Sequence, residues 1–201
     1  LPRDVLASRA YRLFRGVVLF CVLGEMLWIG GAAANGVASH FNTASPHMAA
    51  LYPLMGIFAV TLTSMTLIYA IVLHRHDPAR LPPAFRLSLI LGLAITFFAT
   101  VITAGTMSAG TGHWVGGVES DAGGLPIMGW ARTGGDLRVS HFLATHAMHF
   151  IPLFGWMISR GAGSDRMRAV WIFAMLYTVF VAFTFWQALA GQAFMPFLFG
   201  T

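Results

Sequence analysis

Five stretches of this chain are long and apolar enough to cross a bilayer, and no other feature limits its architecture as severely. About 20 consecutive apolar residues, rising 1.5 Å each, cover the ~30 Å of hydrocarbon in a membrane. Residues 16–35, 46–73, 85–109, 139–159 and 169–190 meet or approach that requirement. Inside hydrocarbon every backbone N–H and C=O must be bonded within the protein, so each stretch is expected as a helix. The expected fold class is all-α: one polytopic membrane domain over 1–201, a five-helix transmembrane bundle with a Gly-rich outer loop at 110–138. Ser45 before Pro46 reads as an N-cap followed by a first-turn proline. The first span has the basic start and the Ala32-Ala33-Ala34 stretch of a signal peptide. It is about twice the usual apolar length for one, and an anchor is expected instead.

The few polar residues narrow the chemistry. Charged residues make up 9% of 201 residues, where soluble domains carry about 25%; a soluble enzyme is excluded. The chain has no lysine, which excludes retinal and pyridoxal Schiff bases. Its one cysteine, Cys21, excludes disulfides, cysteine zinc sites and iron–sulfur clusters. The net charge of +5 rests on 12 arginines, and their placement matters more than their number. Arg3, Arg9, Arg12, Arg15, Arg75, Arg80, Arg86, Arg160, Arg166 and Arg168 fall on the N-terminal side of the expected spans, and only Arg132 and Arg138 on the other. That bias puts the N-terminus in the cytoplasm, with the long loop and the C-terminus outside, periplasmic in a bacterial inner membrane. Nucleic acid is not expected as a partner.

The eight histidines sort by side as well. His74 and His76 flank Arg75 in a cytoplasmic loop. His40, His47, His113, His141, His146 and His149 all fall, on this topology, in or near the outer half of the bilayer. Span four carries three of them within an arc of about 140°, with His146 and His149 roughly 8 and 12 Å deeper than His141. Pro152 removes the donor for the Met148 carbonyl, so a kink or a free carbonyl is expected beside His149. Ionisable groups inside a membrane are rare and mark functional sites by default.

Three uses of this layer compete: hydrogen bonds to neighbouring helices, a transition-metal site, and haem ligation. Neutral imidazole ligates Cu, Fe and Zn, and His40, His47, His113, His141, His146 and His149 are the candidate metal ligands. Haem b would draw on His141, His146 or His149. A bis-histidine haem needs ligands on facing helices at matching depth, and His146 and His149 have no such partner on the other spans.

Two acidic residues stand out as candidate catalytic groups. Glu25, about halfway through span one, could orient an imidazole, ligate a metal or carry protons. Asp136 reads first as the N-cap of span four, and alternatively as a ligand or as the partner of Arg132 or Arg138. The loop between residues 110 and 139 has nine glycines, with Trp114, Trp130 and Leu125-Pro126-Ile127-Met128 among them. Such residues gain from packing, so a lid over the outer end of the bundle is expected. Thr96, Thr100, Thr103 and Thr106 share one face of span three, where packing between helices is the expected role.

Together these residues describe a membrane oxidoreductase, or a metal-dependent enzyme, acting on a lipid-soluble substrate such as a quinone, hydrocarbon or lipid. The alternatives are a proton or metal-ion transporter and an accessory subunit working with other membrane subunits. The cytoplasmic half has few intramembrane polar groups beyond Glu25, Ser64, Thr66 and Ser88, which favours a one-sided site over a through path.

Overall fold

In a computed structural model the protein is described over residues 8–42, 45–76, 81–160 and 165–196. Arg3 and Arg80, counted above for orientation, lie outside the described residues. The five expected spans are five helices: α1 (Arg9–Ala34), α2 (Pro46–Arg75), α3 (Pro83–Ala109), α4 (Leu137–Ser159) and α5 (Arg166–Leu189). All five are long and apolar enough to cross a membrane. The only strands among the described residues are β1 (Trp114–Val115) and β2 (Gly135–Asp136), paired antiparallel within the loop. The chain is therefore all-α, with the features of a multi-pass membrane protein.

Helix limits differ from the sequence reading mainly at the first span. It starts seven residues earlier, because the Ser8 hydroxyl accepts from Tyr11 N at 3.1 Å and the basic stretch is continuous with the span. Ser45 caps α2 as expected, accepting from Met48 N at 3.3 Å ahead of Pro46. Asp136 caps α4, accepting from Arg138 N at 3.0 Å.

The chain divides into two compact units, residues 1–81 and 82–201. The first is the α1–α2 pair. Phe20 meets Phe58 edge-on at 5.6 Å and Phe14 meets Tyr69 at 5.3 Å. Gly24 lies under the Phe58 ring, where a Cβ would come within 2.5 Å of it. The indole of Trp28 donates to Ser39 O at 2.9 Å and ties the end of α1 to the residues that follow it.

The second unit packs α3, α4 and α5 together. Lipid tails are as apolar as leucine, so helices in a membrane gain little from burying leucines against each other. Close approach and hydrogen bonds have to hold them. Both are present here. Ala144, Ala147 and Ile151 of α4 are fully buried, and Ala147 and Ile151 cluster with Ala174 of α5. Gly155 of α4 faces Ser88 of α3 with no room for a Cβ. Gly92 of α3 faces Ala147 O and the Pro152 ring, which a Cβ would meet at 3.0 and 2.9 Å. Three hydrogen bonds then join the helices: Met148 N donates to Thr96 Oγ1 at 2.8 Å, His141 Nδ1 bonds Thr103 Oγ1 at 3.1 Å, and Tyr177 OH donates to Leu143 O at 2.7 Å. The threonine face expected to pack between helices does so at Thr96, Thr100 and Thr103, all buried. Helix α4 stays helical through Pro152.

Neither neighbour of Gly92 is the free end of a flexible side chain, so Gly92→Ala is expected to destabilise this unit by about 1–3 kcal/mol. Titration of the purified protein with SDS measures the change. Gly105→Ala, whose Cβ would meet nothing within 4 Å, is expected to match the parent or exceed it.

Candidate functional site

The loop between α3 and α4 is organised by a salt bridge at the start of α4. Asp136 is 2% exposed, and its carboxylate accepts from Ala131 N at 3.0 Å, Arg138 N at 3.0 Å and the Arg138 guanidinium at 2.6 Å through Nη2. The same guanidinium reaches Asp121 Oδ1 at 2.6 Å and Gly129 O at 2.9 Å. One arginine side chain thus gathers residues 121, 129 and 136, which lie far apart along the loop. The β1–β2 ladder and the bond from Leu137 N to His113 O at 2.9 Å close the loop at its base. Gly135 packs on the Ala188 carbonyl of α5 where no Cβ fits, and the loop is thereby docked on the helix end. Asp136, a candidate catalytic group from the sequence, is by its geometry a helix cap and the buried partner of Arg138.

His113 leans on Trp114 with ring centroids 3.8 Å apart, and its Nε2 lies 3.5 Å from Asp121 Oδ1. Burial, and then the Arg138 charge, push its pKa below the ordinary imidazole value, against the pull of Asp136 and Asp121. Asp121 is also held below the usual carboxylate range, chiefly by its hydrogen bond to Arg138. Trp130 carries the loop onto α4: its ring meets Phe142 at 5.7 Å and Phe194 at 5.6 Å.

The histidines of α4 follow in register. His146 stacks on Phe142 with centroids 4.0 Å apart, and His149 lies 5.3 Å further on. His146 Nδ1 lies 2.7 Å from the Phe142 carbonyl, which accepts only. That nitrogen therefore carries the proton, and Nε2 is left with its lone pair. The Thr145 hydroxyl supports this tautomer: it donates to Phe142 O at 2.9 Å and lies 3.1 Å from Nδ1. His141 is arranged the same way. Thr103 Oγ1 donates to Ala99 O at 2.9 Å, so it accepts from His141 Nδ1. Nδ1 is thus occupied in both, by its own helix in His146 and by the neighbouring α3 in His141, and Nε2 is left with its lone pair, the state in which histidine ligates a metal.

The six histidines expected in one layer belong to different units. His40 and His47 lie in the first, both exposed, and Ser39 Oγ bonds His40 Nδ1 at 2.9 Å. His113, His141, His146 and His149 lie in the second. Among the described residues no three His, Cys, Asp or Glu side chains converge to hold a metal ion. Glu25 is half-buried on α1, and no hydrogen bond or ion pair ties its carboxylate to a described residue. The bonds of Thr96 to the α4 backbone and of Tyr177 to Leu143 were not legible from side-chain spacing, because each ends on a main-chain group of another helix. In comparison with known proteins, no family model matches the chain, and neither does any curated protein or solved structure.

Removing the charge of Asp136 leaves Arg138 without its buried partner, and Asp136→Asn is expected to cost on the order of 3 kcal/mol, read in the same SDS titration. Loop order is also expected to depend on pH. The lowered pKa values of His113 and Asp121 mean that the folded loop favours neutral imidazole and ionised carboxylate. This stability is complete above the ordinary values of 6.5 and 3.8 and is lost as pH falls through the lowered ones. Hydrogen-exchange protection over residues 113–136, corrected for the intrinsic rate at each pH, is expected to fall in two stages on acidification, and His113→Phe to abolish the first.

Proposed function

We propose that this integral membrane protein is an oxidoreductase whose fourth helix ligates haem b or a transition metal through His146, with His149 and His141 beside it, and which acts on a lipid-soluble substrate. The observation that carries this reading is the tautomer of His146: Nδ1 donates to Phe142 O and Nε2 keeps its lone pair, with a second imidazole 5.3 Å away. A histidine serving only to join helices would spend its donor on a neighbouring helix. His146 spends it on its own.

The donor set fits haem better than a bare ion. A Cu, Fe or Zn centre in a tetrahedral shell needs four donors, and two imidazoles provide half. Haem brings four nitrogens of its own, so one imidazole suffices. When bound, haem supplies one-electron redox chemistry. The chain's own contribution is then positional. Phe142 fixes the His146 ring plane by stacking, its carbonyl and the Thr145 hydroxyl hold Nδ1, and Phe150, 6.4 Å from His146, adds an apolar wall. A second reading, an accessory subunit, is favoured by one observation. His149, Leu153, Trp156 and Met157 share an exposed face of α4, and an imidazole on such a face gains from cover by another subunit.

Absorption spectra and metal analysis of protein purified from haem-supplied cells test the proposal. A Soret band is expected, lost in His146→Ala and weakened about ten-fold in Thr145→Val as the support of Nδ1 is removed. Folded protein with neither a Soret band nor stoichiometric Cu, Fe or Zn would overturn it and leave the subunit reading.

A further inference from the structure

The second unit has a groove that the histidines do not touch, at the end of α5 where the loop docks. It is open, with a volume of ≈ 790 Å³, and its polar lining is Arg132, Thr133, Gln187 and Gln192. Its walls come from two segments brought together by close backbone contacts. Gly135 seats the loop on Ala188 O, which sets Arg132 and Thr133 beside the last turn of α5. Gly191, at φ +70°, turns the chain back, so that Gln187 Nε2 donates to Ala193 O at 3.0 Å and Gln192 joins the same wall. One guanidinium, one hydroxyl and two carboxamides offer many N–H and O–H donors with a single positive charge.

Two features decide what such a groove takes. Asp121 and Asp136 are bonded to Arg138, and no carboxylate is among the residues that line the groove. The C-terminal carbonyls of α5 would repel an anion, but those of Trp186, Gln187 and Ala188 already accept from Ala190 N, Gln192 N and Gly191 N. The donor set then suits a phosphate group. Its depth suits a lipid: α3, α4 and α5, with 27, 23 and 24 residues, all end at this loop, and each is longer than the hydrocarbon core requires. Gln187, Phe183 and Val179 follow one another at four-residue steps on one face of α5, with Phe183 51% and Val179 60% exposed. A polar head at Gln187 would therefore have its chain lying over Phe183 and Val179.

We propose that this groove binds the phosphate head of an anionic membrane amphiphile. The proposal is independent of the histidine reading and shares no residue with it.

Native mass spectrometry of the full chain in phosphatidylcholine nanodiscs doped with phosphatidylglycerol tests it, with a parallel calorimetric titration of inorganic phosphate in neutral detergent. Retained phosphatidylglycerol is expected, falling about ten-fold in Arg132→Gln, the loss of one charge-assisted hydrogen bond. A few-fold fall is expected in Gln192→Leu, an exposed site where folding is not at stake. Arg168→Gln, far along α5 from the groove, is expected to bind like the parent. Binding of inorganic phosphate alone, with the same dependence on Arg132 and Gln192, would keep the phosphate chemistry and assign it to a free anion, overturning the lipid. Equal retention by the parent, Arg132→Gln and Gln192→Leu, or an equal loss in Arg168→Gln, would overturn the site altogether.

Discussion

The pairing of Asp136 with Arg138 governs the second unit. A carboxylate that is 2% exposed is tolerated only when its charge and lone pairs are used. Asp136 uses them on the first turn of α4, on Ala131 N and on a guanidinium that also grips Asp121 and Gly129. A loop with nine glycines between residues 110 and 139 has large conformational entropy to lose. Gathering its middle and its C-terminal end around a single side chain at the start of α4 offsets much of that loss. The seating of Gly135 on α5, the placing of Trp130 against Phe142 and the groove at Arg132 all follow from where this pair sits.

Below it, the packing of α4 depends on small residues and shared protons rather than on apolar bulk. Gly92 and Gly155 let backbones approach, and Thr96 and Tyr177 bond to the α4 main chain near a proline that has already interrupted its hydrogen-bond ladder. Helix α4 is thereby fixed in rotation about its axis. The orientation of His141 and His146 depends on that rotation. Thr103 can hold His141 Nδ1 only because the threonine face of α3 meets α4. The tautomers that leave Nε2 available are a product of helix packing as much as of local sequence.

Parts of the site were legible from the chain alone. Asp136 sits two residues before Arg138 at a helix start, so capping and pairing follow from spacing. The His146 bond to Phe142 is an i to i−4 contact that helical geometry makes available. What lay beyond reach were groups whose partners are backbone atoms of distant segments: Met148 N for Thr96, Leu143 O for Tyr177, Ala188 O for Gly135. A carbonyl or amide carries no residue identity, so nothing in the sequence marks which one a threonine, tyrosine or glycine will meet. The common layer of six histidines was a projection from topology. Depth along the membrane normal fixes a level, not which of the residues at that level share a ligand shell.

By itself the sequence determined the number of helices, their limits to within a few residues outside the first span, and the caps at Ser45 and Asp136. Those depend on local apolar length and on hydrogen bonds within one turn, interactions between neighbours in the chain. Only the tertiary structure decided which histidines share a unit, which ring nitrogens keep a lone pair, and that Arg132 meets Gln187 and Gln192 in one groove. Each of these depends on the rotation and approach of whole helices. Glycines too small to declare their partners, and hydrogen bonds to main-chain groups, set that rotation.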